Sequence, residues 1–144
     1  MKFEDYHIIP EIKKSLSELG FKRPTDIQFK AIPNILNGED VLAIAQTGTG
    51  KTAAFAIPII HLISKAGVDQ GVQAVVMVPT HELAIKITDV FQSIGKYTDV
   101  RTLALYGGVA ITISTPSLNC SICGFWSTPP YKARVLTSVY FPID

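Results

Sequence analysis

Acidic residues are missing from a long stretch of this chain. Of twelve Asp and Glu, eleven precede residue 111, and the last, Asp144, is the C-terminal residue. Residues 111–143 therefore cannot supply the carboxylates that acid–base catalysis or Mg²⁺ ligation needs. Cysteine is scarce too, with only Cys120 and Cys123. A disulfide-framed scaffold is excluded, and the usage fits a reducing, cytoplasmic setting. The pair forms a lone CxxC. A zinc site needs two more ligands, and His7, His61 and His81 all lie far upstream. A redox motif needs a thioredoxin-like context, which is missing. The longest apolar run, Ala53 to Ile60, is too short to span a bilayer and contains Pro58, so no membrane association is expected. The residues from Met1 to His7 hold no apolar signal core. The net charge is only +1, so no global basic field marks the chain as a nucleic-acid binder. What is present is a globular composition. With 144 residues, 47% hydrophobic and 17% charged, the chain can bury a moderate core, and one domain is the default.

The stretch that organises the sequence runs from Asp40 to Thr52 (Asp-Val-Leu-Ala-Ile-Ala-Gln-Thr-Gly-Thr-Gly-Lys-Thr). Val41 to Ile44 read as a buried strand. Gln46, Thr47, Gly48, Thr49 and Gly50 read as a turn whose glycines let backbone N–H groups approach an anion. The helix opening at Lys51 directs its positive end to the same place. Lys51 adds a mobile cation, and the Thr52 hydroxyl can ligate Mg²⁺. This is a phosphate cradle, although Ala45 stands where the strict pattern has Gly. The alternative is an ordinary glycine-containing strand–helix turn.

Around it the pattern alternates. Ile9 to Leu19 reads as a helix, with Pro10 in its first turn and Gly20 as its stop. A second helix starts at Thr25, and Pro33 should break or restart it. Lys51 to Lys65 is apolar almost all round and is expected to be buried, with a kink or break at Pro58. Ala74 to Val78 reads as a second buried strand. His81 to Gly95 is a helix of clear 3.6 period, and Val100 to Leu105 is a third strand. This order predicts an α/β fold with a parallel sheet flanked by helices. After Ala110 the character changes. Residues 111–144 hold both Cys, the only Trp and four of nine Pro, with no helical period. Arg134 to Phe141 could form a strand by composition and fill a gap in the sheet. The aromatics of this tail could stack bases or pack on open apolar surface.

Four pieces together resemble the start of a DEAD-box ATP-dependent RNA helicase. Gly20-Phe21-Lys22-Arg23-Pro24-Thr25-Asp26-Ile27-Gln28 resembles the family's Q motif, with Phe3 as its upstream aromatic. Ala45 to Thr52 matches motif I, Ala45 included. Pro79-Thr80-His81-Glu82-Leu83-Ala84 resembles motif Ia, with His81 where the family has Arg. Gly107-Gly108 resembles the paired-glycine motif. The resemblance implies an incomplete RecA-like P-loop domain over residues 1–110, followed by a divergent tail over 111–144. The family's Thr-Pro-Gly, Asp-Glu-Ala-Asp and Ser-Ala-Thr motifs and its second domain have no counterpart here, Thr115-Pro116-Ser117 being a misplaced echo of the first. A truncated or frame-shifted product is the expectation.

The resemblance also assigns roles. It implies that Gln28 reads the adenine edge and that Phe3 stacks on the base, with Phe21 beside them. Taken alone, Thr25-x-x-Gln28 is also a capping box, and Phe3 a terminal aromatic packing on the first helix. Gln46 to Thr52 would hold the phosphates of ATP or ADP, and Thr52 the Mg²⁺ ion. Pro79, Thr80, His81 and Gly108 would meet RNA phosphates. Alternatively Thr80 is a helix cap, His81 a surface side chain, and the glycines a strand-end turn. RNA binding should be weak and sequence-independent, because His81 is mostly neutral near pH 7 where Arg is always charged. Protein partners are not indicated. The expected function is an ATP-binding, RNA-interacting module that neither hydrolyses ATP nor unwinds RNA alone. Two other classes compete. A small P-loop phosphotransferase would clamp phosphates with several Arg, and only Arg23, Arg101 and Arg134 exist. The other class is a nucleotide-binding or regulatory fragment without turnover.

Overall fold

A computed structural model of the chain describes residues 2–67 and 72–105. The segment 134–141, the CxxC and Gly107-Gly108 lie outside the described residues. Among the described residues a 3-10 turn, Phe3–Asp5, is followed by four helices: α1 (Pro10–Glu18), α2 (Asp26–Leu36), α3 (Lys51–Ala66) and α4 (His81–Ile94).

Each helix begins where its sequence allows. Pro10 occupies the first turn of α1, where its missing N–H costs nothing. The Gln28 carboxamide returns to the Thr25 N–H at the head of α2 (3.0 Å), as the capping-box pattern predicts. At α4 the Thr80 hydroxyl accepts the Leu83 N–H (3.3 Å). Gly50 heads α3 in a left-handed conformation (φ 83°).

Neither proline breaks its helix. α2 runs unbroken through Pro33 and α3 through Pro58. The carbonyl that Pro33 deprives of its partner belongs to Phe29, an exposed residue, so water can replace the lost bond. Pro58 is fully buried, and the apolar surround of α3 (Phe55, Ile57, Ile59 and Ile60, all buried) holds the helix together across it.

α3 is the centre of the core. α2 packs along one side of it and α4 along another, and α1 reaches α4. Phe55 of α3 and Phe91 of α4 meet with ring centroids 6.0 Å apart. The α1–α4 junction carries an exposed brace. Glu18 accepts from the Tyr97 hydroxyl (2.6 Å) and from Lys96 (3.0 Å), while the Lys14 ammonium lies 4.0 Å from the Tyr97 ring centroid. The hydrogen bonds from Tyr97 and then Lys96 hold the Glu18 carboxyl below its usual pKa.

The described residues do not show the expected sheet. Among the described residues no strand ladder is formed, and Arg101 alone makes an isolated bridge. The segments 41–44 and 74–78 still show a strand's alternation. Ala43 and Ala74 are buried, and Val41, Val76 and Val78 pack against the core. Their neighbours face outward: Leu42 is 69% exposed, Ile44 72%, Val75 49% and Met77 84%. Both segments were expected to be buried on both faces, as parallel strands are. The helices cover one face only, and among the described residues nothing covers the other. Strand pairing depends on distant neighbours, whereas a helix closes its own hydrogen bonds.

Candidate functional site

The loop between segment 41–44 and α3 has the backbone that its glycines predict. Gly48 and Gly50 both take positive φ (78° and 83°), a region that L side chains rarely adopt. Gly50 also has no room for a side chain, since an added Cβ would collide with the Gln28 carboxamide.

Four carbonyls of the loop, those of residues 45, 46, 49 and 50, accept side-chain donors. The Lys51 ammonium donates to the Ala45 carbonyl. The Thr49 hydroxyl donates to Gln46 O (2.8 Å), Thr25 to Thr49 O (2.8 Å) and Gln28 Nε2 to Gly50 O (3.1 Å). These hydrogen bonds hold the loop in place beside the N-terminus of α3. The first N–H groups of α3 have no acceptor within the helix, and Gly50 brings no side chain to cap them. Thr52 stands in that first turn, half-buried. Backbone N–H groups, a helix N-terminus, an ammonium and a hydroxyl form a donor set that fits a phosphate chain, with the hydroxyl suited to a phosphate-bound Mg²⁺. Among the described residues no cluster of three His, Cys, Asp or Glu could hold a metal without such an anion.

Gln28 is 1% exposed, and both ends of its amide are engaged, Oε1 with Thr25 N and Nε2 with Gly50 O. One N–H and one lone pair remain. The residue thus serves as cap and as strut for the loop. Phe3 is 4% exposed and sits against Tyr6 (6.1 Å) and, edge-on, against Phe21 (6.0 Å). In this arrangement it belongs to the core. Pro79, Thr80 and His81 lie together and exposed at the N-terminus of α4, with the Thr80 hydroxyl used as a cap. The structure therefore gathers Thr25, Gln28 and residues 45–52 into one site. The described residues do not extend to Gly108.

Two contacts have no counterpart in the sequence motifs. The Thr25 hydroxyl, at the capping box of α2, also donates to the Thr49 carbonyl. His61, buried in α3, accepts the Ile9 N–H through Nδ1 (3.2 Å). The only sequence sign of the second was a histidine on an apolar helix.

The chain resembles known proteins over most of its length. The profile of the DEAD/DEAH box helicase family matches residues 25–129. The DEAD-box ATP-dependent RNA helicase RhpA of Helicobacter pylori is 46% identical over 109 residues, 76% of this chain and 22% of that protein. The ATP-dependent RNA helicase CshA of Listeria monocytogenes is 43% identical over 117 residues, 81% of this chain and 22% of that protein. A solved DEAD box protein from Methanococcus jannaschii superposes with a TM-score of 0.75 at 38% identity, covering 85% of this chain and 33% of that one. The chain thus spans between a fifth and a third of the length of these relatives. No helix of the described residues is long and apolar enough to cross a membrane. Matched over nearly three-quarters of its own length by the family profile, the chain belongs to the DEAD/DEAH box helicase family.

Proposed function

We propose that this chain is an ATP- and ADP-binding, RNA-contacting module of a DEAD-box RNA helicase. The observation that carries the reading is the loop 45–50, whose carbonyls at 45, 46, 49 and 50 are held by Lys51, Thr49, Thr25 and Gln28 at the head of α3, where Gly50 brings no side-chain cap. In this reading Gln46 to Thr52 hold the phosphates, and Lys51 exchanges the Ala45 carbonyl for a phosphate oxygen. Thr52 is the chain's ligand to the Mg²⁺ that accompanies the nucleotide. Gln28 offers its remaining donor and acceptor to the adenine edge, Phe3 and Phe21 line the base, and residues 41–44, 74–78 and 100–105 pair as parallel strands once the open face is covered.

Two substitutions separate the phosphate and base contributions. Lys51→Ala removes a charge-assisted hydrogen bond of about 1.5–3 kcal/mol, so ATP affinity should fall roughly 10- to 150-fold. Gln28→Ala should cost ATP about fivefold more than it costs GTP, the factor of one neutral hydrogen bond. Calorimetric titration of both variants with both nucleotides reads this directly. Equal losses for ATP and GTP at position 28 would show that the residue acts only as the strut under Gly50.

RNA contact is assigned to Pro79, Thr80, His81 and Gly108, as weak, sequence-independent binding. His81→Arg adds a permanent charge at the exposed start of α4. It should tighten single-stranded RNA binding and steepen the salt dependence by about 0.7 per added phosphate contact. Fluorescence anisotropy at several salt concentrations checks this, and an unchanged slope would remove that surface from the account.

A further inference from the structure

We infer that His61 is a proton-sensitive latch that holds the N-terminal segment bearing Phe3 against the nucleotide-loop helix. Its Nδ1 accepts the Ile9 N–H at 3.2 Å, across 52 residues of sequence. Ile9 is the residue that heads α1, and directly before it lie Phe3, Tyr6 and Ile8, all buried. His61 stands on α3, nine residues beyond Thr52, so the bond ties that segment to the helix whose N-terminus forms the candidate phosphate site.

The contact requires one protonation state. A backbone N–H can only donate, so Nδ1 must carry no proton and the imidazole must be the neutral Nε2–H form. Protonation places a hydrogen on Nδ1, removes the acceptor and sets an N–H against an N–H. It also buries a cation, since the residue is only 8% exposed. Lys65, one turn along α3, is the charge acting on the ring, and it opposes protonation. His7 and Glu11 beside Ile9, Asp26 and Lys30 on α2, and Lys86 and Asp89 on α4 are all exposed, and the buried Tyr6 carries no charge in this pH range. Burial, and then Lys65, hold the His61 pKa below the usual imidazole value. The sign follows from a folded pKa below the unfolded one. The latch is fully effective above about pH 6.5 and is lost as pH falls through the lower folded value.

The chemistry has a local consequence and one that rests on the adenine reading above. Locally, acid should free the Ile9 amide and loosen the aromatic packing of Phe3 while α4 stays in place. For ligands, ADP should lose affinity relative to inorganic pyrophosphate, because only the nucleoside end meets the N-terminal segment. The ratio should fall about fivefold, the factor of one neutral hydrogen bond.

The test is a titration of the whole chain by ¹⁵N and aromatic NMR from pH 7.5 to 5, on the parent and on His61→Gln. Glutamine offers a carbonyl acceptor that cannot be protonated. The expected result is a transition in the parent shared by the His61 ring nitrogens, the Ile9 amide and the Phe3 ring, with Phe91 and Ile94 unmoved. His61→Gln should show no such transition and a pH-independent ADP-to-pyrophosphate ratio. A parent in which Ile9 and Phe3 do not follow the His61 ring overturns the latch, as does a transition that includes Phe91 and Ile94. Should His61→Gln not fold, the parent titration decides alone. If neither ADP nor pyrophosphate binds, the nucleotide reading fails, while the NMR titration still decides the latch.

Discussion

Saturated with RNA and Mg·ATP, the purified 144-residue chain is expected to turn over ATP no faster than its Lys51→Ala variant. Phosphoryl transfer needs an acidic residue to hold the metal and a group to orient the attacking water. The resemblance places both in an Asp-Glu-Ala-Asp motif that the chain lacks, and residues 111–143 contain no carboxylate to replace it. The remaining candidates are poorly placed. Glu39 and Asp40 precede segment 41–44 and so stand at its far end from the loop. Glu82 lies exposed in the first turn of α4, and one carboxylate cannot fill both roles. A γ-phosphate-sensing arginine would come from a second domain, and loss of such a finger alone costs about 10³- to 10⁵-fold in rate. A phosphate-release assay with saturating RNA checks this. RNA-stimulated release above the Lys51→Ala control would reveal a catalytic carboxylate that the sequence reading missed.

The second large effect is on stability. Phe91→Ala should destabilise the chain by about 3–5 kcal/mol, the range for deleting a buried aromatic ring. Phe91 is 1% exposed, touches Phe55 and lies in the cluster that joins α3 to α4. Small domains hold only about 5–15 kcal/mol in total, so most of the margin would go. In urea, followed by circular dichroism at 222 nm, the midpoint should drop by roughly 1.5 M or more for a slope near 1.5–2 kcal/mol/M. A drop below about 0.5 M would mean that the α3–α4 contact does not organise the core.

The helices were legible because a helix writes its own period. Ile87, Phe91 and Ile94 fall on one face of α4 by spacing, and all three are buried. The loop was legible for a similar reason, since Gly48, Gly50, Lys51 and Thr52 act through local backbone geometry. The strands were legible only as candidates. Their exposure alternates as a strand's does, but pairing and cover depend on residues far along the chain. The breaks expected at Pro33 and Pro58 failed because each costs one helical hydrogen bond, which solvent at Phe29 or packing around Pro58 offsets. His61 could not be read at all, because its partner is 52 residues away and is a backbone N–H.

The central claim is that the loop 46–52 and Gln28 together form an adenine-nucleotide site. Calorimetry of the unmodified chain with ATP, ADP and GTP, each with and without Mg²⁺, tests it most directly. The account predicts that ATP and ADP bind more tightly than GTP, because the guanine edge presents the opposite donor and acceptor to the Gln28 amide, and that Mg²⁺ strengthens ATP binding through Thr52. Equal affinity for ATP and GTP, or binding of none of the three, would contradict it.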